Sequence, residues 1–266
     1  MLRTTILYIT LFFSPFHLFA QSENIEYNFD CLQTDFLSSG ISIFSDIEKS
    51  ILQNYNSTVS VQEEISAGEE VFKEISKNSR LVNNGDKKNL DSILAKLVKT
   101  IRNPRGFNYH IYLVDSIAIN AFTIGGNIYF TTEMMKFCKS NDEIAGIIGH
   151  EIAHNELGHI NENLKRIKST QSIAGESFGG WIGQLGTFMI TPFNQQNEAH
   201  CDAFGVDLSF QAHFDGCSAV NLWQRMSDAY DTEKTVAQIF MSHPYSIDRK
   251  ACIIEHIKRN YAKKCN

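Results

Sequence analysis

Basic side chains are the minority in this 266-residue sequence, and they form no cluster. The chain has 24 lysine and arginine residues against 30 aspartate and glutamate residues, and its formal net charge is −6. Neither sign of charge occurs in long blocks. Because a nucleic-acid-binding surface needs a concentrated basic patch, the sequence predicts no nucleic-acid partner.

Internal repeats, low-complexity tracts and CxxC pairs are also absent. The missing CxxC argues against a cysteine-based zinc site and against a thioredoxin-like redox motif. The chain is 43% hydrophobic and only 20% charged, which indicates a globular protein with a buried core. The even number of cysteines favours disulfides but leaves the pairing open among six residues, which are Cys31, Cys138, Cys201, Cys217, Cys252 and Cys265.

The N-terminus has the composition of a secretory signal. Arg3 is followed by the apolar run from Ile6 to Phe13, and Ala20 precedes a polar residue. This pattern predicts a signal peptide over residues 1–20 that is cleaved after Ala20. An uncleaved anchor is the alternative, because Leu18 stands where a small residue is preferred.

The remaining chain divides by its hydrophobic period. Residues 21–105 form a predicted helical region that packs on the rest of the chain, with helices over Cys31–Gln53, Val61–Ser79 and Lys87–Ile101. Residues 106–266 form a second predicted domain. It begins with three alternating segments, around 107–116, 117–122 and 127–132, which predict a small antiparallel sheet with a turn at Gly125-Gly126.

The stretch "IIGHEIAHNELGHIN", residues 147–161, places histidines at helical spacing. An α-helix advances by about 100° per residue, so His150 and His154 lie about 40° apart on one face and can bind one ion. Glu151 projects beside them. The helix is expected to begin at a cap formed by Asn141 or Asp142.

A third histidine follows within the same stretch. His159 comes nine residues after His150, which is about 180° around a continuous helix, so it would face away from the ion. We therefore predict a structural role for His159 and not metal ligation.

A catalytic zinc needs another protein ligand from a separate element. The stretch "QQNEAHCDAFGVD" places Glu198 and Asp202 four residues apart, on one face of a predicted helix. Glu198 can reach the metal while Asp202 orients a ligand histidine through a hydrogen bond. The alternative is a solvent-exposed acidic pair without chemistry.

HExxH followed by ExxxD resembles the zinc metallopeptidase family that includes HtpX, the CAAX prenyl endopeptidases and the periplasmic BepA- and LoiP-like proteases. Three further stretches are similar to this family: "INAFTIGGNIYFTTEMM", "DEIAGIIGHEIAH" and "SHPYSIDR". The resemblance extends from about Tyr109 to Arg249. One departure is Cys201, which stands where the family usually has alanine and brings a thiol close to the metal.

The resemblance implies an α+β fold, a mainly helical zincin-like (gluzincin) domain with a small antiparallel sheet before the active-site helix. Residues 106–266 would then be the zinc metallopeptidase domain, on which the helical region 21–105 packs. It implies one Zn²⁺ per chain, bound by His150, His154 and Glu198. Glu151 is then the general base, which takes a proton from the attacking water and passes it to the departing amine. The predicted cleaved signal peptide, together with the resemblance to the periplasmic branch, implies a periplasmic location, with peripheral membrane association as a further expectation.

Two other parts of the site are implied by the resemblance. His243 and Arg249 would lie near the cleft, where a histidine either stabilises the oxyanion or blocks the open metal position as a reversible plug. The strand carrying Asn120, Ala121 and Phe122 would pair with extended substrate backbone, which favours unfolded polypeptides.

The stretch from Ser177 to Asn197 has no charged residue and contains four glycines. We predict a closely packed or mobile hairpin beside the active site. Contact with a membrane or an assembly partner is the alternative.

Two classes of function remain open. The first is a periplasmic endopeptidase that degrades unfolded or misassembled envelope proteins, in association with the outer membrane or an assembly machine. The second is a chaperone-like client-binding or assembly factor whose zinc site is latent because His243 plugs it. A zinc hydrolase of small substrates is the weaker third alternative.

Overall fold

A computed structural model describes residues 25–32, 59–174, 193–230, 243 and 247–265. These residues form eight helices and a four-stranded sheet, so the predicted mainly helical α+β class is confirmed. In chain order the elements are α1 (Val61–Asn78), β1 (Leu81–Val82), α2 (Gly85–Val98), β2 (His110–Val114), β3 (Ala121–Ile124), β4 (Asn127–Thr131), α3 (Thr132–Phe137), α4 (Asn141–Glu156), α5 (His159–Ala174), α6 (Gln195–Gln211), α7 (Ser218–Tyr230) and α8 (Ile247–Tyr261).

Three predictions fall wholly or largely outside the described residues. They are the signal peptide over 1–20, the helix predicted over Cys31–Gln53, of which only 31–32 are described, and the hairpin predicted over Ser177–Asn197, of which only 193–197 are described. Among the helices that are described, none combines the length and the apolar character needed to cross a membrane.

The sheet is mixed, so the prediction of a purely antiparallel sheet was wrong. Its strand order is β1-β2-β4-β3. The pairs β1/β2 and β3/β4 are antiparallel, whereas β2 and β4 run parallel. The tight turn at Gly125 and Gly126, both with positive φ, joins β3 and β4 as an antiparallel hairpin. Because β4, and not β3, pairs with β2, the chain leaving β2 passes the position of β4 to reach the edge of the sheet, and β2 and β4 run in the same direction.

The two faces of the sheet bury separate cores. Ile128 and Phe130 of β4 pack into a core shared with α2, α4, α6, α7 and α8, while Tyr129 faces α1 and α5 on the other side. All five β4 residues are buried, as expected for a central strand. Helix α4 packs against β3 and β4.

Helix α4 is the most enclosed element of the metal-site region. Twelve of its sixteen residues are buried, including both histidines and Glu151. Polar side chains at such positions need partners, because burying them unpaired is costly. Their presence in the core therefore indicates a chemical role.

The ends of α4 differ from the prediction. The N-cap is Ser140, whose hydroxyl accepts a hydrogen bond from the Glu143 N–H at 3.2 Å, so the expected cap at Asn141 or Asp142 was one or two residues late. The helix ends at Glu156, and Gly158 has a φ of +80°. His159 begins a new helix, so its direction does not follow from continuing α4.

Helices α4 and α6 approach each other at a glycine pair. A methyl group added to Gly149 would lie 2.9 Å from Gly205 Cα, and one added to Gly205 would lie 2.7 Å from the His150 nitrogen. Only glycine permits this approach. The contact brings the HExxH helix directly against the helix that carries Glu198 and Asp202.

Two disulfides attach neighbouring segments to the C-terminal region. Cys31 pairs with Cys252 of α8, and Cys217 pairs with Cys265. The remaining two cysteines, Cys138 and Cys201, are free thiols in the structure. The first bond closes a separation of 221 residues and holds the segment 25–32 beside α8.

Candidate metal centre

Four buried side chains converge where α4 meets α6. His150 and His154 come from α4, Glu198 comes from α6, and His243 lies close to the start of α8 in sequence. One ligand atom from each of the four lies within 4.8 Å of every other. None of the four residues is more than 8% exposed. The i, i+4 spacing of His150 and His154 places both on one face of α4. Helix α6 contributes the third member, Glu198.

The separations among these atoms fit a single tetrahedral ion. The Nε2 atoms of His150 and His154 are 3.0 Å apart, and they lie 3.5 and 3.4 Å from the Glu198 oxygens. The Nδ1 atom of His243 lies 3.4 Å from His150 Nε2 and 3.3 Å from both Glu198 oxygens. Ligands bonded to zinc at about 2.0–2.1 Å in a tetrahedron are roughly 3.3–3.4 Å apart. The nitrogen and carboxylate donors therefore fit Zn²⁺.

Asp202 and Arg249 hold His150 and Glu198 in place through contacts outside the cluster of four ligand atoms. His150 Nδ1 lies 2.9 Å from Asp202 Oδ1, which leaves Nε2 turned toward the cluster. The fully buried Arg249 donates from Nε to Asp202 Oδ2 and reaches Glu198 Oε2 from Nη1, both at 2.8 Å. One guanidinium thus fixes both acidic residues of the ExxxD sequence.

The charges of the cluster follow from these contacts. Burial alone would raise the pKa of Glu198 and Asp202, but Arg249 and the neighbouring histidines outweigh it and lower the pKa of both carboxyls. Burial alone would lower the pKa of His150, but Asp202 and Glu198 outweigh it and raise the pKa. A cation that binds here meets ionised carboxylates and displaces a proton from His150.

Glu151 lies beside the four ligand atoms without belonging to them. Its Oε1 is 3.7 Å from His243 Nε2. Its Oε2 is buried, and no described residue forms a hydrogen bond with it. Burial raises the pKa of its carboxyl, although His243 and His150 counteract this. An unsatisfied carboxylate next to a metal cluster is typical of a reacting group.

His159 also belongs to the neighbourhood of the site. Its Nδ1 lies 3.3 Å from His154 Nδ1 and 3.2 Å from the Cys201 sulfur. When His154 turns Nε2 to the metal, its proton is on Nδ1, and His159 is the acceptor. Sequence analysis missed this contact because it continued α4 past Gly158; a glycine just after the HExxH segment was the available signal for the turn.

Cys201 is less reactive than its position near the metal suggests. It is 0% exposed, and burial together with Glu198 and Asp202 raises the pKa of its thiol well above the ordinary value. Because the thiolate is the reactive form, Cys201 packs as a small protonated side chain beside His159.

The acceptor role of His159 predicts a difference between two substitutions of nearly equal shape. We expect His159→Leu to weaken zinc binding by about 10- to 100-fold, because the Nδ1–H of His154 loses its partner. His159→Asn should remain close to the wild type, because its amide oxygen stands near the position of Nδ1. Zinc affinity is measured by competition with a chelating dye. Equal affinities for the two variants would contradict the role.

The predicted substrate strand is the edge of the sheet among the described residues. Ala121 and Phe122 lie in β3, and Asn120 directly precedes it. Asn155, the residue after His154, donates to Thr123 Oγ1 at 2.8 Å and accepts from the Gly126 N–H at 3.1 Å. Helix α4 therefore holds the β3–β4 hairpin in position.

Comparison with known proteins agrees with this geometry. The sequence model of peptidase family M48 matches residues 84–257. The beta-barrel assembly-enhancing protease of Yersinia pestis is 21% identical over 238 residues, covering 78% of this chain and 46% of that protein. The mitochondrial metalloendopeptidase OMA1 of Schizosaccharomyces pombe is 27% identical over 182 residues, covering 65% and 54%.

A third relative is metalloprotease LoiP of Escherichia coli, which is 24% identical over 177 residues and covers 60% of this chain and 69% of its own length. The chain spans about half the length of the first two relatives. The resemblance predicted from the HExxH and ExxxD sequences is confirmed. The chain belongs to peptidase family M48.

Proposed function

We propose that this protein is a zinc-dependent endopeptidase that hydrolyses peptide bonds in unfolded or misassembled envelope proteins. His150, His154 and Glu198 would hold the ion, and Glu151 would act as the general base. The observation that carries the proposal is a buried Glu151 oxygen, to which no described residue hydrogen-bonds, beside four converging ligand atoms. That arrangement supports proton transfer next to a bound cation and has no evident structural purpose.

Zinc, when bound, supplies a Lewis acid that polarises the peptide carbonyl and makes water more acidic. Glu151 accepts a proton from the attacking water as its oxygen bonds to the carbonyl carbon. The C–N bond then breaks, and Glu151 gives the proton to the departing amine. Asp202 and Arg249 keep His150 and Glu198 oriented throughout.

The edge strand supports the preference for extended polypeptide. β3 pairs with β4 on one side only among the described strands, and Asn120 Oδ1 is buried there without a hydrogen-bond partner in the described region. We propose that the backbone around Asn120, Ala121 and Phe122 pairs with substrate as an added strand. Such pairing reads chain conformation more than side-chain identity.

The cellular setting is also a proposal. The signal-like sequence over 1–20 and the two disulfides support an oxidising compartment, and we propose the periplasm. The name of the Yersinia pestis relative refers to enhanced β-barrel assembly. By analogy we propose envelope proteins as clients, with outer-membrane or assembly-machine association.

His243 favours a second candidate function, a client-binding factor with a latent zinc site. A catalytic zinc keeps one position open, whereas His243 Nδ1 stands at the fourth corner of this cluster and the residue is only 3% exposed. In this arrangement His243 is a plug that must leave before a substrate carbonyl can approach. Persistent plugging would leave a protein that binds clients without cleaving them.

The test is cleavage of unfolded casein by the zinc-loaded chain, with and without a chelator. We expect chelator-sensitive cleavage, and we expect His243→Ala to increase it by about tenfold, because a larger fraction of molecules has an open site. The exposed His110→Ala is the matched control and should leave the rate unchanged.

Other outcomes separate the alternatives. A tenfold or greater fall in His243→Ala, at unchanged zinc content, would contradict the plug and make His243 an oxyanion stabiliser. Zinc binding and client binding without cleavage in either protein would favour the client-binding factor.

A further inference from the structure

A second group of buried ligand atoms lies on the other side of the His154 ring. The group consists of His154, His159 and Cys201, and one ligand atom of each lies within 4.8 Å of the other two. All three residues are at most 5% exposed. His154 belongs to both groups, because its Nε2 faces His150 in the first centre while its Nδ1 faces His159. Its imidazole ring therefore joins the two groups.

The separations in this second group match those around one bound ion. The Nδ1 atoms of His154 and His159 are 3.3 Å apart, and the Cys201 sulfur lies 3.2 Å from His159 Nδ1. With bonds of about 2.0–2.1 Å to nitrogen and about 2.3 Å to sulfur, tetrahedral ligands lie roughly 3.3–3.5 Å apart. Phe193 stacks on His154 with 4.0 Å between the ring centres, which holds the ring in this orientation.

Hydrogen bonding alone satisfies this group poorly. When His154 turns Nε2 to an ion, its Nδ1 carries a proton, and the Cys201 thiol carries another. Both of these donors lie within reach of His159 Nδ1. A neutral imidazole has only one acceptor nitrogen, so the two donors compete for a single lone pair. An ion bound among the three atoms removes this competition, because each atom then donates an electron pair to the ion.

We propose that His154 Nδ1, His159 Nδ1 and the Cys201 sulfur form a second binding site, for a divalent thiophilic cation of the Zn²⁺ and Cd²⁺ class. One thiolate and two imidazoles are donors that such ions prefer. His154 bridges this ion and the ion of the first centre. The site does not depend on peptidase activity.

The charge of the ion follows from the protons that it displaces. Binding releases one proton from the Cys201 thiol and one from His154 Nδ1, and both leave to solvent. A divalent ion replaces these two positive charges and leaves the net charge of the buried region unchanged. A monovalent ion would leave one negative charge uncompensated, and an uncompensated buried charge is costly.

The chain offers a matched pair of substitutions for the test. Cys201 and Cys138 are both free thiols, and Cys138 lies outside the two groups of ligand atoms. Cys201→Ala removes the sulfur and keeps a small side chain at a tightly packed position. Cys138→Ala makes the same chemical change elsewhere and is the control. His159→Asn is a second variant, since it should retain the zinc of the first centre.

The experiment starts from the full chain loaded with one equivalent of zinc and adds Cd²⁺ by equilibrium dialysis, which gives time for local opening around a buried site. We expect one cadmium per chain beside the retained zinc, with a thiolate-to-cadmium absorption band in the ultraviolet. Cys201→Ala should lose the band and the added cadmium but keep the zinc, and Cys138→Ala should match the wild type. His159→Asn should bind cadmium at least about tenfold more weakly, because it loses a ligand.

Several results would overturn the second site. Failure of the wild type to take up cadmium would do so, and zinc release in step with cadmium uptake would show that cadmium enters only the first centre. Uptake without a thiolate band would place the ion elsewhere. A band that persists in Cys201→Ala, or that disappears in Cys138→Ala, would show that Cys201 is not the ligand. The endopeptidase function is tested separately, by cleavage of casein.

Discussion

Replacing Glu151 by glutamine should abolish measurable peptide hydrolysis and leave the zinc in place. The amide has almost the same shape as the carboxylate but cannot accept a proton from water. General-base catalysis contributes about 10²- to 10⁴-fold to a rate, so kcat/KM should fall by that amount. Zinc content should not change, because Glu151 is outside the four converging ligand atoms.

The measurement pairs casein hydrolysis with metal analysis of the same sample. It uses whichever of the wild type and His243→Ala cleaves faster as the parent. Glu162→Gln, at an exposed position of α5, is the control for a carboxylate-to-amide change and should retain full activity. Retained turnover in Glu151→Gln would remove Glu151 as the base. A parallel loss of zinc would instead make it a ligand.

The part of the site that could be predicted from sequence is the part built by helical periodicity. His150 with His154, and Glu198 with Asp202, are pairs at i and i+4, and a regular helix places each pair on one face. Both helices occur in the structure, so those local geometries needed no tertiary information. The close approach of the two helices depended on Gly149 and Gly205, which a periodic pattern does not indicate.

The remaining features depend on how separate segments meet. In the sheet, β4 lies between β2 and β3. The alternation of apolar and polar residues predicts a strand but does not indicate which strands are neighbours. The contact of His159 with His154 depended on where α4 ends. The disulfide pairs joined cysteines separated by 221 and 48 residues, and spacing alone could not choose them.

Arg249 shows how strongly the long-range contacts affect the site. Sequence analysis placed it near the cleft, and the structure places it fully buried between two carboxylates and 4.1 Å from the Trp223 ring centre. It contacts Asp202 and Glu198 with hydrogen-bond geometry. These contacts support a positioning role for Arg249, because it would act on the proposed metal site through Asp202 and Glu198.

Replacing Arg249 by methionine should therefore destabilise the metal-free protein more than it harms the zinc-bound protein. Methionine keeps much of the volume but leaves Asp202 and Glu198 buried without their cation, which costs about 3–5 kcal/mol. Bound zinc restores positive charge beside Glu198, so the gap in unfolding temperature between zinc-bound and metal-free protein should widen. Arg249→Lys should rescue only in part, because one ammonium cannot span both carboxylates.

The pH dependence of the stability of the metal-free protein tests this prediction independently. The pKa of Glu198 and of Asp202 is lowered in the folded protein, so each contributes stability above its unfolded pKa, and this is lost as pH falls through the folded pKa. Without Arg249 both folded pKa values rise. The metal-free variant should then lose less stability on acidification than the wild type, and the difference between them should shrink toward low pH.

Denaturant unfolding of the metal-free proteins at several pH values measures this difference. Arg259→Met removes an arginine from an i, i+4 pair on α8 and should cost no more than about 0.5 kcal/mol at any pH. If Arg249→Met behaves like Arg259→Met, the two acidic residues do not depend on Arg249 for their charge. A large loss that is independent of pH would assign the effect to packing against Trp223 instead, because only the electrostatic contribution changes as the carboxylates are protonated.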